Sequence, residues 1–302
     1  MEGILAVVKP PGMTSHDVVG FVRRLAGGAK TGHTGTLDPA AAGLLLVCVG
    51  RATRLAQYLV GCDKSYWAEI TFGIATDSAD IEGELLERQP TTGVSEASLR
   101  AALPALTGEL SLAPPRLSAI KSAGKPLHRR ARRGPIEEPA ARAMRVDRWE
   151  LLEFLPGPEP VARLQLDCGS GTYVRSLAEA LAAALGTVGH LSFLARTRVG
   201  NFRLEQAHTL EEIEQGAADD WAELLISPGQ ALGHLPALAL DEREVDLLQH
   251  GVVLPLTEDR LSAPAGEALQ LLDSRQQLIG VGEWRAEDEG PRLRSLTILV
   301  TE

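Results

Sequence analysis

Cysteine is nearly absent from this chain of 302 residues, which contains only Cys48, Cys62 and Cys168. The number is odd and no two form a CxxC pair, which excludes a disulfide framework and a structural zinc site of the usual spacing. The three read as small buried hydrophobes. Seven histidines are scattered without HxxxH spacing, so no metal is expected. No apolar run approaches the roughly 18 residues of a membrane-spanning helix. Met1 to Lys9 carry no basic segment followed by an apolar one, so no signal peptide is read and the chain is expected in the cytoplasm, with no membrane partner. The sequence shows no internal repeat. A nucleotide-phosphate loop is excluded as well: Gly27-Gly28-Ala29-Lys30-Thr31-Gly32 has Ala29 where GxxxxGK[ST] requires Gly. No nucleotide cofactor, and no cofactor of any kind, is expected.

What is present is an ordinary globular composition, 44% hydrophobic and 23% charged. The length exceeds one typical domain, so two cores of unequal size are expected. The net charge of −10 at first argues against a nucleic-acid partner, yet it is unevenly divided. Residues 1–204 carry +4 and residues 205–302 carry −14. Between residues 116 and 148, ten basic residues, Lys121 and Arg132 among them, face three acidic ones, a local +7. That is either a phosphate-binding patch or a solvated Arg-rich face.

The pattern along the chain alternates short strands with helices. Ile4 to Val8 reads as a buried strand, Thr14-Ser15 as the N-cap of a helix ended by Gly27-Gly28, and Gly43 to Val49 as a continuous apolar strand. Ala52 to Leu59 reads as a short helix. Tyr66 to Phe72 and Arg163 to Cys168 alternate as strands do, and Leu177 to Leu185 forms a helix with Gly186 as its stop. Residues 211–223 are acidic and helical in pattern. Beyond about residue 230 the pattern becomes short strands, including residues 267–272 and 278–282. No regular βαβ period is present, so the fold class is α+β.

One segment carries chemistry. Gly32-His33-Thr34-Gly35-Thr36-Leu37-Asp38-Pro39 places a carboxylate in a Gly- and Thr-rich loop between apolar segments. The glycines permit φ > 0 and close backbone approach, and Pro39 restrains Asp38, so the side chain is held in one direction. A fixed carboxylate suits nucleophilic catalysis, although an Asp-Pro turn is more commonly a helix start or a solvated loop.

With this loop, further segments occur in a telling order: Lys9-Pro10-Pro11-Gly12-Met13-Thr14-Ser15, Gly43-Leu44-Leu45, Asp63-Lys64-Ser65-Tyr66, Thr76-Asp77-Ser78-Ala79-Asp80, Ser118-Ala119-Ile120-Lys121, Gly171-Thr172-Tyr173-Val174-Arg175-Ser176-Leu177 and Leu194 through Gly200. Over essentially its whole length the chain resembles the bacterial tRNA pseudouridine-55 synthases of the TruB type. The resemblance implies an α+β catalytic domain with a mixed, largely antiparallel sheet over residues 1–230, and a small β-rich PUA-like domain over 231–302. It implies isomerisation of the T-loop uridine of tRNA by a monomeric enzyme. Asp38 matches the family's catalytic aspartate, and Arg175 the arginine that pairs with it. Tyr66 would stack on the uracil and, given a lowered pKa, remove the C5 proton.

His33 matches the residue that braces the flipped nucleotide, while Tyr173 and Leu194 match positions lining the base pocket. The basic segment of about 116–148 corresponds to an RNA-clamping insertion, with Lys9, Lys121 and Arg132 taken as RNA-binding residues. Such a segment should be mobile alone and order against phosphates. Departures from the family pattern are His128, Ala42 and Gly169-Ser170, none at Asp38, Tyr66 or Arg175. Two other functions fit the same residues: a tRNA-binding folding factor whose benefit is not catalytic, and an isomerase acting on another RNA.

Overall fold

The computed structural model describes residues 1–115, 139–261, 263–288 and 290–299, the side chain of residue 219 excepted, and the backbone of Lys121–Ser122 and Lys125–Pro126. In the first half lie β1 (Gly3–Lys9), α1 (Ser15–Leu25), β2 (Thr31–His33), β3 (Ala42–Val49), α2 (Ala56–Val60), β4 (Lys64–Phe72), β5 (Ile74–Thr76), β6 (Leu85–Arg88), α3 (Glu96–Ala102) and β7 (Gly108–Leu112). The two-residue strands β8 (Lys121–Ser122) and β9 (Lys125–Pro126) pair with each other. There follow β10 (Arg142–Leu155), β11 (Val161–Cys168), α4 (Val174–Ala184), β12 (Gly189–Val199), β13 (Phe202–Arg203), α5 (Leu210–Asp219), α6 (Trp221–Leu224) and α7 (Pro228–Ala231). Last come β14 (Ala237–Ala239), α8 (Glu242–Gln249), β15 (Leu254–Pro255), β16 (Ala268–Leu272), β17 (Leu278–Glu287) and β18 (Gly290–Ile298).

The main sheet runs β1-β3-β12-β4-β11-β10-β7, with β2 added to β3 and β13 to β12. Among the described strands of this sheet only β3 and β12 pair in parallel, over Ala195↔Ala42 and Arg196↔Gly43, so the sheet is mixed. The α+β class is therefore the observed one. Residues of β3 alternate between two clusters: Leu44, Leu46 and Cys48 pack with Leu55 and Leu59, whereas Leu45, Val47 and Val49 pack with Val18 and Val22 of α1. Burial on both faces explains why this strand reads as an unbroken apolar run. On β4 only one face is buried: Tyr66, Ala68, Ile70 and Phe72 join Leu164, Leu166 and the apolar side of α4 through Leu177 and Leu181.

A second sheet, β14-β16-β17-β18-β15, has its own core around Leu238, Leu248, Leu269, Leu271, Ile279 and Leu293. Val281 and Leu299 nonetheless pack with Ile4 and Leu44 of the first sheet. Tyr58 Oη and Thr297 Oγ1 are hydrogen-bonded at 2.9 Å, and Arg54 Nη1 donates to Ile298 O at 2.9 Å. Among the described residues no helix is long and apolar enough to cross a membrane.

Three local expectations change. The helix expected over Ala52 to Leu59 begins as a 3₁₀ turn, Gly50–Leu55, and only Ala56–Val60 is α-helical. The helix expected over 211–223 breaks at Asp220, which is extended (φ −150°) and accepts from Ala222 N at 2.7 Å to cap α6. Arg142, Arg145 and Arg148 stand on β10 within the main sheet rather than in a mobile insertion, because β10 is paired on both sides, with β7 and β11. His128 and Arg132 lie outside the described residues.

Candidate active site

The loop between β2 and β3 carries Asp38, and four buried polar side chains brace it from different elements. Ser15, at the start of α1, both donates to Leu37 O (3.0 Å) and accepts from Leu37 N (2.9 Å). Lys9, at the end of β1, is fully buried, and its Nζ donates to the carbonyls of Pro10 (2.9 Å), Pro39 (3.2 Å) and Ala41 (2.6 Å). An ammonium enclosed in this way does not reach RNA, so the expectation that Lys9 binds RNA gives way to a structural role under the loop. Arg196 donates through Nε to Leu44 O (2.8 Å) and through Nη2 to Gly35 O (3.0 Å). Arg175 Nη2 meets Asp38 Oδ2 itself at 3.0 Å.

The conformational freedom expected of Gly32 and Gly35 is not used, since neither adopts a positive φ. Gly43 uses it instead. Its φ is +100°, and a Cβ there would lie 2.4 Å from Arg196 O and 2.6 Å from Arg196 N. Glycine thus lets β3 approach β12 closely enough for Arg196 to pass beneath the loop.

Arg175, in the first turn of α4, is only 9% exposed at its side chain, against 42% for Asp38. Its guanidinium also donates through Nη1 to Ser78 O (2.8 Å) and lies 3.5 Å from Asp80 Oδ2. Asp80 is in turn held by Ser78 Oγ (2.5 Å) and Glu82 N (3.1 Å). Ala79, in the same turn, has φ +60°, a left-handed conformation that an L-residue adopts at a cost. Its neighbours hold it there: Ala79 N donates to Thr76 O and Leu191 N donates to Ala79 O. Arg175 is accordingly fixed from both sides before any substrate arrives.

The loop and α4 form two walls of a cleft of about 510 Å³ lined by Gly35 to Asp38, Val60, Lys64, Tyr66, Ser170 to Arg175, Leu194 and Arg196. The register of the sheet produces this convergence, for Arg196 pairs with Tyr66 on β4 and with Gly43 on β3. Of the residues expected at the site, Asp38, Tyr66, Arg175, Tyr173 and Leu194 all line the cleft.

Tyr66 departs from expectation in one respect. Burial raises its phenol pKa, and the nearby Arg196 cation only partly opposes this, so the lowered pKa expected for a proton acceptor is absent. Burial also raises the pKa of Tyr173, opposed by Arg142 and Arg175. His33 stands at the start of the loop, outside the cleft lining, and Gly35 N donates to its Nδ1 at 3.3 Å. The ring of His16 packs edge-on against it, 5.5 Å between centroids. Burial, then the charges of His16 and Arg196, lower the pKa of His33 and favour its neutral form. The side chains of Lys121 and Arg132 lie outside the described residues.

Two cleft residues were not foreseen as functional, Lys64 and Arg196, which are 7% and 2% exposed. The signal for Lys64 was available: it shares the two-residue period of Tyr66, Ala68, Ile70 and Phe72, the buried face of β4. Among the described residues no cluster of three or more His, Cys, Asp or Glu side chains is suited to hold a metal ion.

Comparison with known proteins gives concordant results. Residues 23–174 match the N-terminal domain of the TruB family of pseudouridylate synthases, and residues 175–232 match a C-terminal domain of tRNA pseudouridylate synthase B. The second match ends before the five-stranded sheet begins. The chain is 48% identical to a tRNA pseudouridine synthase B of Symbiobacterium thermophilum over 83% of each chain. It is 39% identical to the protein of that name from Caldanaerobacter subterraneus subsp. tengcongensis, over 97% of this chain and 98% of the relative. The fold is that of the crystal structure of a Cbf5-Nop10-Gar1 complex, with a TM-score of 0.76 at 24% identity over 99% of this chain and 85% of the other.

Proposed function

The chain belongs to the TruB family of pseudouridylate synthases, and on that premise we propose that it converts the T-loop uridine of tRNA, position 55, to pseudouridine with Asp38 as nucleophile. The observation that carries this reading is the Asp38–Arg175 ion pair at 3.0 Å in a cleft walled by Tyr66, Tyr173 and Leu194.

The isomerisation detaches uracil from C1′, turns it, and rejoins it through C5, with no change of oxidation state. It needs an ionised carboxylate held in place, a flat apolar slot for the ring, and exclusion of water while the base is free. Arg175 pairs with the carboxylate at 3.0 Å and orients it, and the two tyrosines and Leu194 form the slot. The half-exposed Asp38 is open to an incoming nucleotide, and the base must leave its stack to reach it. His33, neutral and set beside the loop, is placed to brace the flipped conformation.

Phosphate contacts fall to the basic stretch of residues 116–148, with Lys121 and Arg132 in it, so affinity for the T arm declines steeply with salt. Residues 1–230 act as the catalytic domain of a monomer. Residues 231–302, a domain of the PUA type, contribute shape more than charge, in keeping with the −14 carried by residues 205–302.

Pseudouridine mapping by carbodiimide-blocked primer extension on unmodified tRNA transcripts tests this. A new stop at the T-loop uridine supports the proposal. A stop elsewhere identifies a different target uridine, and tRNA binding without any stop favours a folding factor.

A further inference from the structure

None of the groups assigned above offers positive charge to the base. Arg175 is balanced by Asp38 at 3.0 Å and Asp80 at 3.5 Å. Tyr66 is neutral, its phenol pKa raised by burial. Yet breaking the C1′–N1 bond without changing the oxidation state leaves the electron pair on uracil, as an anion spread over N1, O2, O4 and C5. Catalysis then calls for fixed positive charge where that negative charge develops.

Two cations stand there with no carboxylate partner among the described residues. Lys64 and Arg196 line the same cleft beside Tyr66 and are close enough for each charge to act on the other, and a methyl group placed on Gly35 would be 3.6 Å from Arg196 Nη1 and 3.8 Å from Lys64 Cε. Neither forms an ion pair among the described residues. Their partners are backbone carbonyls: Leu44, Gly35 and Thr36 for Arg196, and Val60 (3.0 Å) and Cys62 (2.5 Å) for Lys64. Carbonyls satisfy protons without cancelling charge. The third proton of the Lys64 ammonium has no acceptor among the described residues. Burying two like charges side by side is costly unless something negative joins them. Capping the end of α2, which Lys64 also does through Val60 O, accounts for its hydrogen bonds but not for a second buried cation next to it.

We propose that Lys64, backed by Arg196, stabilises the detached uracil as its anion, and that Lys64 touches the ring during transfer. The inference rests on the synthase reading above. Asp38 forms an ester bond to C1′ as the C1′–N1 bond breaks with its electron pair going to the ring. The ring turns as the anion under the two cations, and the pair at C5 then forms the bond to C1′ as the C1′–O bond to Asp38 breaks and returns the carboxylate. Loss of the C5 proton and gain of one at N1 complete the balance.

The test compares wild-type protein with Lys64→Gln, which keeps N–H donors for the two carbonyls but no charge, and with Lys64→Arg, which keeps the charge. Single-turnover rates, tRNA affinities and melting temperatures are measured for each. Lys64→Gln should lose about 100-fold in rate, the cost of removing one preorganised charge-stabilising donor, with tRNA affinity nearly unchanged, and Lys64→Arg should recover most of it. A second substrate carries 5-fluorouridine at the target, whose fluorine makes the ring a more stable anion. Followed as loss of the starting nucleoside, the defect of Lys64→Gln should shrink by about tenfold on this substrate. Equal rates for Lys64→Gln and Lys64→Arg, or a defect the same on both substrates, overturns the inference and leaves Lys64 as a helix cap. No conversion by wild-type protein overturns the synthase reading, and the inference with it.

Discussion

Replacing Lys9 with methionine separates a structural lysine from an RNA-binding one. The Lys9 ammonium is fully buried and holds the carbonyls of Pro10, Pro39 and Ala41. Methionine fills similar volume and removes all three hydrogen bonds. Pro39 O keeps a partner in Gly12 N at 2.9 Å, and half-buried Pro10 turns to water. The carbonyl of Ala41, a residue only 3% exposed, is left orphaned. An orphaned buried carbonyl costs about 1 to 3 kcal/mol, with a smaller loss at Pro10, partly offset by relief of burying the charge. The expected net loss is about 2 kcal/mol, which for a chain of 302 residues lowers the melting temperature by about 3 to 4 °C. The turnover rate falls as well, because Pro39 and Ala41 flank Asp38. The assay is a thermal melt together with tRNA affinity at several salt concentrations. An unchanged melting temperature with a salt slope shallower by about 0.7 to 0.9, the value of one lost phosphate contact, would refute the structural role.

Further outcomes follow from the same geometry. Gly43→Ala forces a Cβ to within 2.4 Å of Arg196 O at φ +100° and should destabilise by about 3 kcal/mol or more, and a urea midpoint close to that of the native protein contradicts the close approach of β3 to β12. Because the pKa of His33 is lowered in the folded state, the unfolded chain binds more protons around the ordinary histidine pKa. Stability should therefore fall as pH drops below about 6.5, and His33→Gln should make that fall shallower in urea titrations across pH 5 to 8; an identical pH dependence speaks against a neutral His33. Tyr58→Phe removes the 2.9 Å bond from α2 to Thr297 of the second sheet, and a loss of about 1 kcal/mol with unchanged turnover is expected. A turnover defect there would mean that the second sheet affects the cleft.

How much of this was legible in the sequence depended on whether the signal was local. Strands β1, β3, β4 and β11 follow from apolar runs and two-residue alternation, and α4 from its apolar face and Gly186. The cleft residues Asp38, Tyr66, Tyr173, Arg175 and Leu194 were legible only because their motifs resemble a family, since no periodicity brings residues so far apart together. What stayed hidden was the fate of charged side chains. Lys9 and Arg196 look like solvent-facing cations in one dimension and become buried only when strands distant in sequence close over them, whereas Lys64 shares the two-residue period of the buried face of β4. The strained turn at Ala79 and the second carboxylate, Asp80, carry no visible role in the sequence, because the partner that gives Asp80 meaning, Arg175, is 95 positions away in number. Gly43 rather than Gly35 needs its missing Cβ because the clash is with β12, a neighbour that only the sheet order reveals.

The most direct measurement is single-turnover conversion of a T-arm transcript by wild-type protein and by Asp38→Asn, with tRNA affinity measured for both. The account predicts pseudouridine from the wild type, none from Asp38→Asn, and affinities within a few-fold of each other. Pseudouridine formed by Asp38→Asn at a rate near that of the wild type would contradict the assignment of Asp38 as the nucleophile.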